Sequence, residues 1–168
     1  LAIARAAESD PAMAIANAAR ANRIVFLSDI HASAATKRLA VEAINKIVST
    51  SGLDLLVLEV GADQQPVIDQ YLQQPNEDAS MLVSNGGALR EPGPATRDYL
   101  EIYRAVWKLN QKLGADQAIR ILAADLEGWP PSRPLSPADL ARKSAEREAH
   151  MQKQITDALA LNPRARVL

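Results

Sequence analysis

Cysteine is absent from the 168 residues of this sequence. A thiol nucleophile, a zinc ribbon and a disulfide framework are therefore excluded together. An excess of charge of one sign is also missing, because nineteen Lys and Arg face twenty Asp and Glu and leave a formal net charge of −1. That balance provides no electrostatic footprint for nucleic acid or for an anionic membrane surface, so we expect a partner of neither kind.

Long apolar runs are missing as well. No stretch approaches the roughly 20 residues that a membrane-spanning helix needs, although 48% of the residues are hydrophobic and 23% are charged. This composition is typical of a globular protein, and the length suits one domain with a real core. We expect a single soluble domain over residues 1–168 without a membrane span. It could be cytoplasmic or exported after removal of a leader, and the oligomeric state stays open.

Glycine is scarce, with seven residues in the chain, and the motifs that depend on it are not found. The sequence has no serine in a nucleophile elbow, no Walker loop and no dinucleotide-binding glycine pattern. Serine acyl-enzyme hydrolysis, P-loop phosphoryl transfer and nicotinamide chemistry are therefore disfavoured.

Apolar runs and amphipathic segments alternate along the chain. Near-continuous apolar runs predict strands over 24–27, 54–61 and 119–125. Helical spacing predicts helices over 34–48, 64–73 and 95–113, and a long helix that begins at Pro137 after Ser136 as N-cap. This alternation predicts an α/β fold of three layers, in which helices flank a mainly parallel sheet.

Two connections complete this organisation. The polar, glycine-rich passage over 76–94 is long for a compact domain, which is typical of a functional or mobile segment. Asn162-Pro163 closes the last helical pattern, and residues 164–168 look like the beginning of another strand. We expect the natural protein to continue past residue 168, so that the fold of residues 1–168 is truncated at its C-terminus.

Acidic residues end all three predicted strands. Asp29 follows the first strand together with His31, and Glu59 and Asp125 end the second and third. Because parallel strands bring their carboxyl ends to the same side of a sheet, these groups are expected to converge there. Each acid alone is more often a turn former or a helix cap, but three in succession favour a site.

The last helix adds a cation to this set. Arg147 shares the helix face of Leu140, Ser144, Met151, Ile155 and Ala158, which is the face expected to lie toward the core. An arginine there needs carboxylates or an oxyanion, since an unpaired buried charge is strongly unfavourable. A structural salt bridge to a strand-end acid and a role in binding an anion are both open. His150, one turn further on, is expected to lie at the surface.

Two chemistries suit these residues equally well. His31 could act as a general base toward water or a hydroxyl, with Asp29 or Glu59 fixing its tautomer and Arg147 stabilising a developing oxyanion. Alternatively, His31, Asp29 and Glu59 could be nitrogen and oxygen ligands of a divalent metal.

The segment Ile24-Val-Phe-Leu-Ser-Asp-Ile-His-Ala32 resembles the opening motif of calcineurin-like metallophosphoesterases. That resemblance implies that Asp29 and His31 are metal ligands. The family also has Gly-Asp after its second strand and a later Gly-Asn-His. Here the second strand ends in Glu59-Val-Gly-Ala-Asp63, and the chain contains no Gly-Asn-His. This family is therefore the runner-up.

A longer resemblance is to the superfamily of erythromycin esterases, ChaN-like haem-uptake proteins and Tiki/TraB proteins. Ser28-Asp-Ile-His31 is similar to its opening Gly-Glu-x-His, and Leu58-Glu59 to its second strand end. Asp125 resembles the acid that closes the next strand, and residues 147–151 the Arg-containing helix of the esterase branch. Gln65, Asp69, Tyr71 and Leu72 resemble the ChaN-like pattern after the second acid.

This resemblance implies a three-layer α/β fold with a polar cleft that holds His31, Glu59 and Arg147. Ser28 replaces the usual Gly and Asp29 the usual Glu, and the second histidine of the family would lie beyond Leu168. The branches hydrolyse a macrolide ester, act as metal-dependent peptidases or bind haem. We therefore expect a hydrolase acting on a small-molecule or peptide substrate, with a binding protein for haem or another anionic ligand as alternative. A divalent metal or haem could serve as cofactor.

Overall fold

The computed structural model describes residues 10–30, 33–84, 96–131 and 133–168. His31 and most of the glycine-rich part of the 76–94 passage lie outside these ranges. The helices and strands are α1 (Pro11–Ala21), α2 (Ala34–Thr50), β1 (Leu55–Gly61), α3 (Gln65–Leu72), α4 (Ser80–Ser84), α5 (Thr96–Asn110), β2 (Arg120–Asp125) and α6 (Pro137–Leu161). Short 3-10 turns at Ala62–Gln64 and Ala115–Gln117 precede α3 and β2.

The sheet of the described residues consists of β1 and β2, which run parallel. Both strands were predicted from their apolar runs, and both are confirmed. Their side chains alternate between two hydrophobic clusters, because successive residues of a strand point to opposite faces. Leu56, Leu58, Ile121 and Ala123 belong to the larger cluster, and Leu55, Leu122 and Ala124 to the smaller one.

The helices cover these two faces unequally. The larger cluster draws most of its other members from α1, α2, α3 and α5, with Leu82 from α4, and it includes the fully buried Tyr71 and Tyr103. The smaller cluster is covered by half-buried residues of α6, namely Met151, Ile155, Ala158 and Leu159. Leu140, expected on the same core face, is 48% exposed, because the first turns of α6 extend past the sheet. The α6 start is confirmed, since the Ser136 hydroxyl accepts a hydrogen bond from the Asp139 N–H.

The predicted first strand, residues 24–27, is reduced to a single bridge. Ile24 pairs in parallel with Val167, and Val167 also pairs with Leu55 of β1. A short C-terminal segment, Ala165–Leu168, therefore lies between the chain around Ile24 and β1. We name residues 23–30 the first extended segment. The strand predicted over residues 24–27 is therefore not formed beyond Ile24, and Phe26, beside which no described strand lies, is 80% exposed.

The fold is thus a mixed helix and strand structure with a small parallel sheet. Among the helices of the described ranges, none combines the length and the apolar character that crossing a membrane requires.

Candidate functional site

Arg147 joins the carboxyl ends of β1 and β2. Its Nε donates to both carboxylate oxygens of Asp125, at 2.8 and 3.0 Å, and its Nη2 donates to Asp125 and to Glu59. Asp125 is completely buried, whereas the side chain of Glu59 is 40% exposed and that of Arg147 is 16% exposed. Sequence reasoning expected these three groups to meet, and the structure brings them together.

The guanidinium of Arg147 is also stacked on an aromatic ring. Its Cζ lies 4.1 Å from the centroid of the Trp129 ring, which follows β2 in the chain. Such stacking adds a cation–π attraction and fixes the plane of the guanidinium. The hydrogen bonds that Arg147 donates to Asp125 are the main cause that raises the pKa of Arg147, and the charge of Glu59 raises it further. Arg147 is therefore a permanently charged, oriented group.

The loop that carries Trp129 is fastened to the end of β1. Asp63 accepts a hydrogen bond from the Gly128 N–H at 2.8 Å and another from the Gln64 amide. Gly61 makes this approach sterically feasible. A Cβ at position 61 would stand 2.7 Å from the Asp63 Oδ1 and 3.1 Å from the Leu126 carbonyl oxygen. The strand-end loops of β1 and β2 therefore form one connected unit around Arg147.

A second acid–cation pair involves Asp29. Both of its oxygens accept from the Lys37 Nζ, at 2.7 and 2.6 Å, and Thr36 donates to Oδ1. The Lys37 side chain is 1% exposed and that of Asp29 is 29% exposed. Lys37 also lies 5.5 Å from the centroid of the Tyr99 ring. Asp29 is thus anchored to α2.

Sequence reasoning missed Lys37 as a partner of Asp29. The signal was present in the helical spacing, because Lys37 occupies the same face of α2 as Ala40, Val41 and Ile44. A lysine on an apolar face needs a carboxylate, just as an arginine does. Trp129 was missed as well, and its position in the short loop four residues after the strand-end acid Asp125 is the corresponding signal.

The remaining predicted site residue is a histidine. His31 lies outside the described residues, so its roles as base or ligand stay predictions. Within the described ranges, no group of three or more His, Asp or Glu side chains could hold a metal ion. The surface position expected for His150 is wrong, because its ring is half-buried and Nε2 is enclosed without a hydrogen-bond partner among the described residues.

Gln65 and Tyr71, which contribute to the ChaN-like pattern, have structural contacts. The Gln65 amide donates to the Ile121 carbonyl and accepts from the Ala123 N–H, both at 2.8 Å. These two hydrogen bonds pair backbone groups on the edge of β2 that faces away from β1, as a neighbouring strand would. Tyr71 is fully buried, and its hydroxyl contacts Glu77. These contacts give both residues a function in the fold.

Comparisons with known proteins give no further assignment. No protein-family model matches the sequence, and no match to the chain was found among curated proteins or solved structures. The resemblance to the erythromycin esterase, ChaN-like and Tiki/TraB superfamily therefore stays a prediction.

Proposed function

We propose that this chain is a hydrolase-like protein with its site in the cleft between Asp29 and the β1 and β2 strand ends. The proposal includes the three-layer α/β arrangement, with α6 on one face of the sheet and α2 and α5 on the other. The substrate is a small molecule or peptide with a hydrolysable ester or amide. His31 is the base, Glu59 orients it, and Arg147 binds the developing negative charge.

The observation that supports this proposal best is the state of Arg147. Nε and Nη2 hold Asp125 and Glu59, while no described residue accepts a hydrogen bond from Nη1. A rigid guanidinium with donors to spare can stabilise an oxyanion without reorganising. Glu59 lies beside this guanidinium, and its side chain is 40% exposed, so it is accessible to a substrate or to an imidazole.

Asp29 has a positioning role in this proposal. Its two oxygens are held by Lys37 and Thr36, which fixes the backbone two residues before His31. In the reaction, His31 takes a proton from water, the hydroxide attacks the substrate carbonyl, and the oxyanion forms near Nη1 of Arg147. Protonated His31 then returns the proton to the leaving group.

The residues present fit a divalent metal poorly. Asp29 and Glu59 each bind a cationic side chain already, and a metal would compete with Lys37 and Arg147 for them. No step of the proposal passes through a metal or haem.

Hydrolysis of chromogenic aryl esters by the wild-type chain and its variants tests this proposal. We expect His31→Ala to lower turnover by about 10²-fold or more, as the loss of a general base does. Glu59→Gln should lower kcat and shift the pH profile, because the neutral amide orients the imidazole less well. Glu148→Gln, on the exposed side of α6, is the matched control and should leave the rate unchanged. Equal rates in His31→Ala and wild type would overturn the proposal.

The two other hypotheses give different results with the same protein. A binding protein of the ChaN-like kind would show a Soret band on haem titration and no ester turnover. A metallophosphoesterase would hydrolyse a generic phosphate ester only when manganese is added.

A further inference from the structure

The two carboxylates beside Arg147 use most of the N–H donors of its guanidinium. Nε–H donates to Asp125, and Nη2 donates both to Asp125 and to Glu59. Since Nη2 has two hydrogens, neither of them is left for a further partner. The remaining donors are the two N–H groups of Nη1, which donate to no described residue.

Nη1 of Arg147 is in contact with solvent. Within the described ranges, the side-chain N and O atoms that are both buried and without a hydrogen-bond partner are the Tyr103 hydroxyl and Nε2 of His150. Nη1 is not one of these atoms, and the Arg147 side chain is 16% exposed. A ligand can therefore reach Nη1 without breaking a hydrogen bond of the protein.

The remaining donors do not form a fork. An arginine binds a carboxylate or a phosphate best through two parallel N–H groups on adjacent nitrogens, which donate to two oxygens of the same ligand group. One such pair of Arg147, Nε with Nη2, is used by Asp125. The other pair, Nη1 with Nη2, is incomplete because Nη2 donates to Glu59. A ligand therefore meets a single nitrogen of Arg147.

The surroundings of the guanidinium keep it in this orientation. The Trp129 ring, whose centroid lies 4.1 Å from Cζ of Arg147, covers one of its faces. The loop that carries Trp129 is itself fastened, because the Gly128 N–H donates to Asp63. A rotated guanidinium would lose this stack and would leave the completely buried Asp125 without its charge partner, which is strongly unfavourable. Arg147 cannot turn to form a fork for a ligand.

Glu59 also limits the charge of a ligand at Nη1. Its carboxylate accepts from the neighbouring Nη2, so a second permanent negative charge at Nη1 would be repelled at short range. An uncharged carbonyl oxygen binds Nη1 without this repulsion. In the proposed reaction the negative charge of the oxyanion develops together with the positive charge on His31, which offsets the repulsion in the transition state.

We infer that the site selects uncharged carbonyl substrates, esters or amides whose one carbonyl oxygen binds Nη1 of Arg147, and that Glu59 excludes carboxylates and phosphates. The choice of the carbonyl rests on the proposed function. The exclusion of anions depends on Arg147 and Glu59 alone. A phosphate ester, or a ligand held by its carboxylates, needs a fork that the wild-type cleft does not provide.

NMR titrations with benzoate and with inorganic phosphate test the exclusion, with the Nε–Hε resonance of Arg147 as the signal. Glu59→Ala completes the pair of Nη1 and Nη2 and removes the repelling charge. We expect this variant to bind each anion at least about tenfold more tightly than the wild-type chain does. An Nε–Hε resonance at its wild-type position before the titration shows that the bond to Asp125 is kept.

Glu59→Gln is the matched control for the loss of charge. Its amide oxygen still accepts from Nη2, so the fork stays closed and the gain in anion affinity should be much smaller than in Glu59→Ala. Equal anion affinities of the wild-type chain and Glu59→Ala, or equal gains in the two variants, would overturn the inference.

A kinetic measurement distinguishes failure of this inference from failure of the proposed function. Benzoate, at a concentration that saturates Glu59→Ala, should leave hydrolysis of p-nitrophenyl acetate by the wild-type chain unchanged. Competitive inhibition with a shift of the Arg147 resonance would show that the exclusion is wrong while the proposed function holds. If the wild-type chain hydrolyses no aryl ester, the choice of a carbonyl substrate fails together with the proposed function, and the titrations still decide the exclusion.

Discussion

The two acid–cation pairs of the candidate site, Asp125–Arg147 and Asp29–Lys37, have opposite distributions of burial. At the end of β2 the acid is buried, with Asp125 at 0% exposure, and the cation Arg147 reaches partly into solvent. On the first extended segment the cation is buried, with Lys37 at 1%, and the acid Asp29 is partly exposed. In each pair, the buried member depends on its partner more than the exposed member does. Both acids come at the end of an apolar run, so the run alone does not explain why one acid is buried and the other is partly exposed. The difference comes from strand pairing. β2 is paired along its length, whereas the segment before Asp29 is paired only at its beginning.

Arg147→Met is the substitution from which we expect the largest effect. It leaves the carboxylate of Asp125 buried without its charge partner, so we expect a loss of about 3–5 kcal/mol in the free energy of unfolding, measured by urea denaturation. Arg142→Met is the control on the same helix, because Arg142 is 61% exposed and binds exposed acids. Its effect should stay within about 0.5 kcal/mol. A loss below about 1 kcal/mol for Arg147→Met would show that Asp125 does not depend on Arg147.

Lys37→Met should have a smaller effect. The methionine fills the space of the buried lysine stem, and Asp29 can regain water at its exposed side, so we expect a loss of about 1–3 kcal/mol on the same measurement. Lys46→Met is the control on α2, since Lys46 pairs with the exposed Asp10. If Lys37→Met cost as much as Arg147→Met, the idea that exposure of the acid limits the loss would be wrong.

Gln65→Ala tests how much the hydrogen bonds on the edge of β2 that faces away from β1 contribute to stability. The substitution removes two hydrogen bonds to the β2 backbone, and we expect a loss of about 1–2 kcal/mol in the free energy of unfolding. Faster hydrogen exchange of the Ala123 amide should accompany it. Gln70→Ala, an exposed position of the same helix, serves as the reference. Unchanged exchange at Ala123 would mean that the edge is protected by something other than Gln65.

Tyr103→Phe tests the effect of a buried polar group that has no partner in the described part of the chain, in contrast to the buried members of the two acid–cation pairs. The Tyr103 hydroxyl is buried and has no hydrogen-bond partner among the described residues, so its removal should raise the free energy of unfolding by about 1 kcal/mol at neutral pH. A decrease would show that the hydroxyl is paired after all.

The same variant should alter the alkaline limb of the stability profile. Burial raises the pKa of Tyr103 well above its usual 10.0, and burial also raises the pKa of Tyr71. The unfolded tyrosines therefore release their protons first, and stability that is present below about pH 10 is lost as the pH rises above that value. Tyr103→Phe should make this loss shallower and leave the part due to Tyr71. An identical slope in both proteins would contradict the assignment.

The sequence was sufficient to predict those elements whose signal lies entirely within their own residues. The apolar runs of β1 and β2, and Ser136 with Pro137 at the start of α6, each contain their own signal, and the structure confirms them. The meeting of Glu59, Asp125 and Arg147 followed from parallel strand ends and helix periodicity. These inferences need no knowledge of which strands are neighbours.

The first extended segment shows where such inference ends. Residues 24–27 have strong strand propensity, yet a strand is defined by hydrogen bonds to a neighbour, and here only Ile24 has a bridge. The periodicity of α2 contained the evidence for Lys37, but only the fold shows that Asp29 lies within its reach. His150 was placed wrongly because a position at the edge of a helix face becomes buried or exposed according to what packs beside it.

The amide of Gln65 has a consequence that extends past one molecule. A strand with free N–H and C=O groups is a template on which strands of other molecules can assemble into aggregates. At β2 the donor of Ala123 and the acceptor of Ile121 are already taken by one side chain of the same chain. Gln65 therefore blocks the addition of strands from other molecules at this edge of β2. The fold achieves this with one side chain and needs no additional strand to cover the edge.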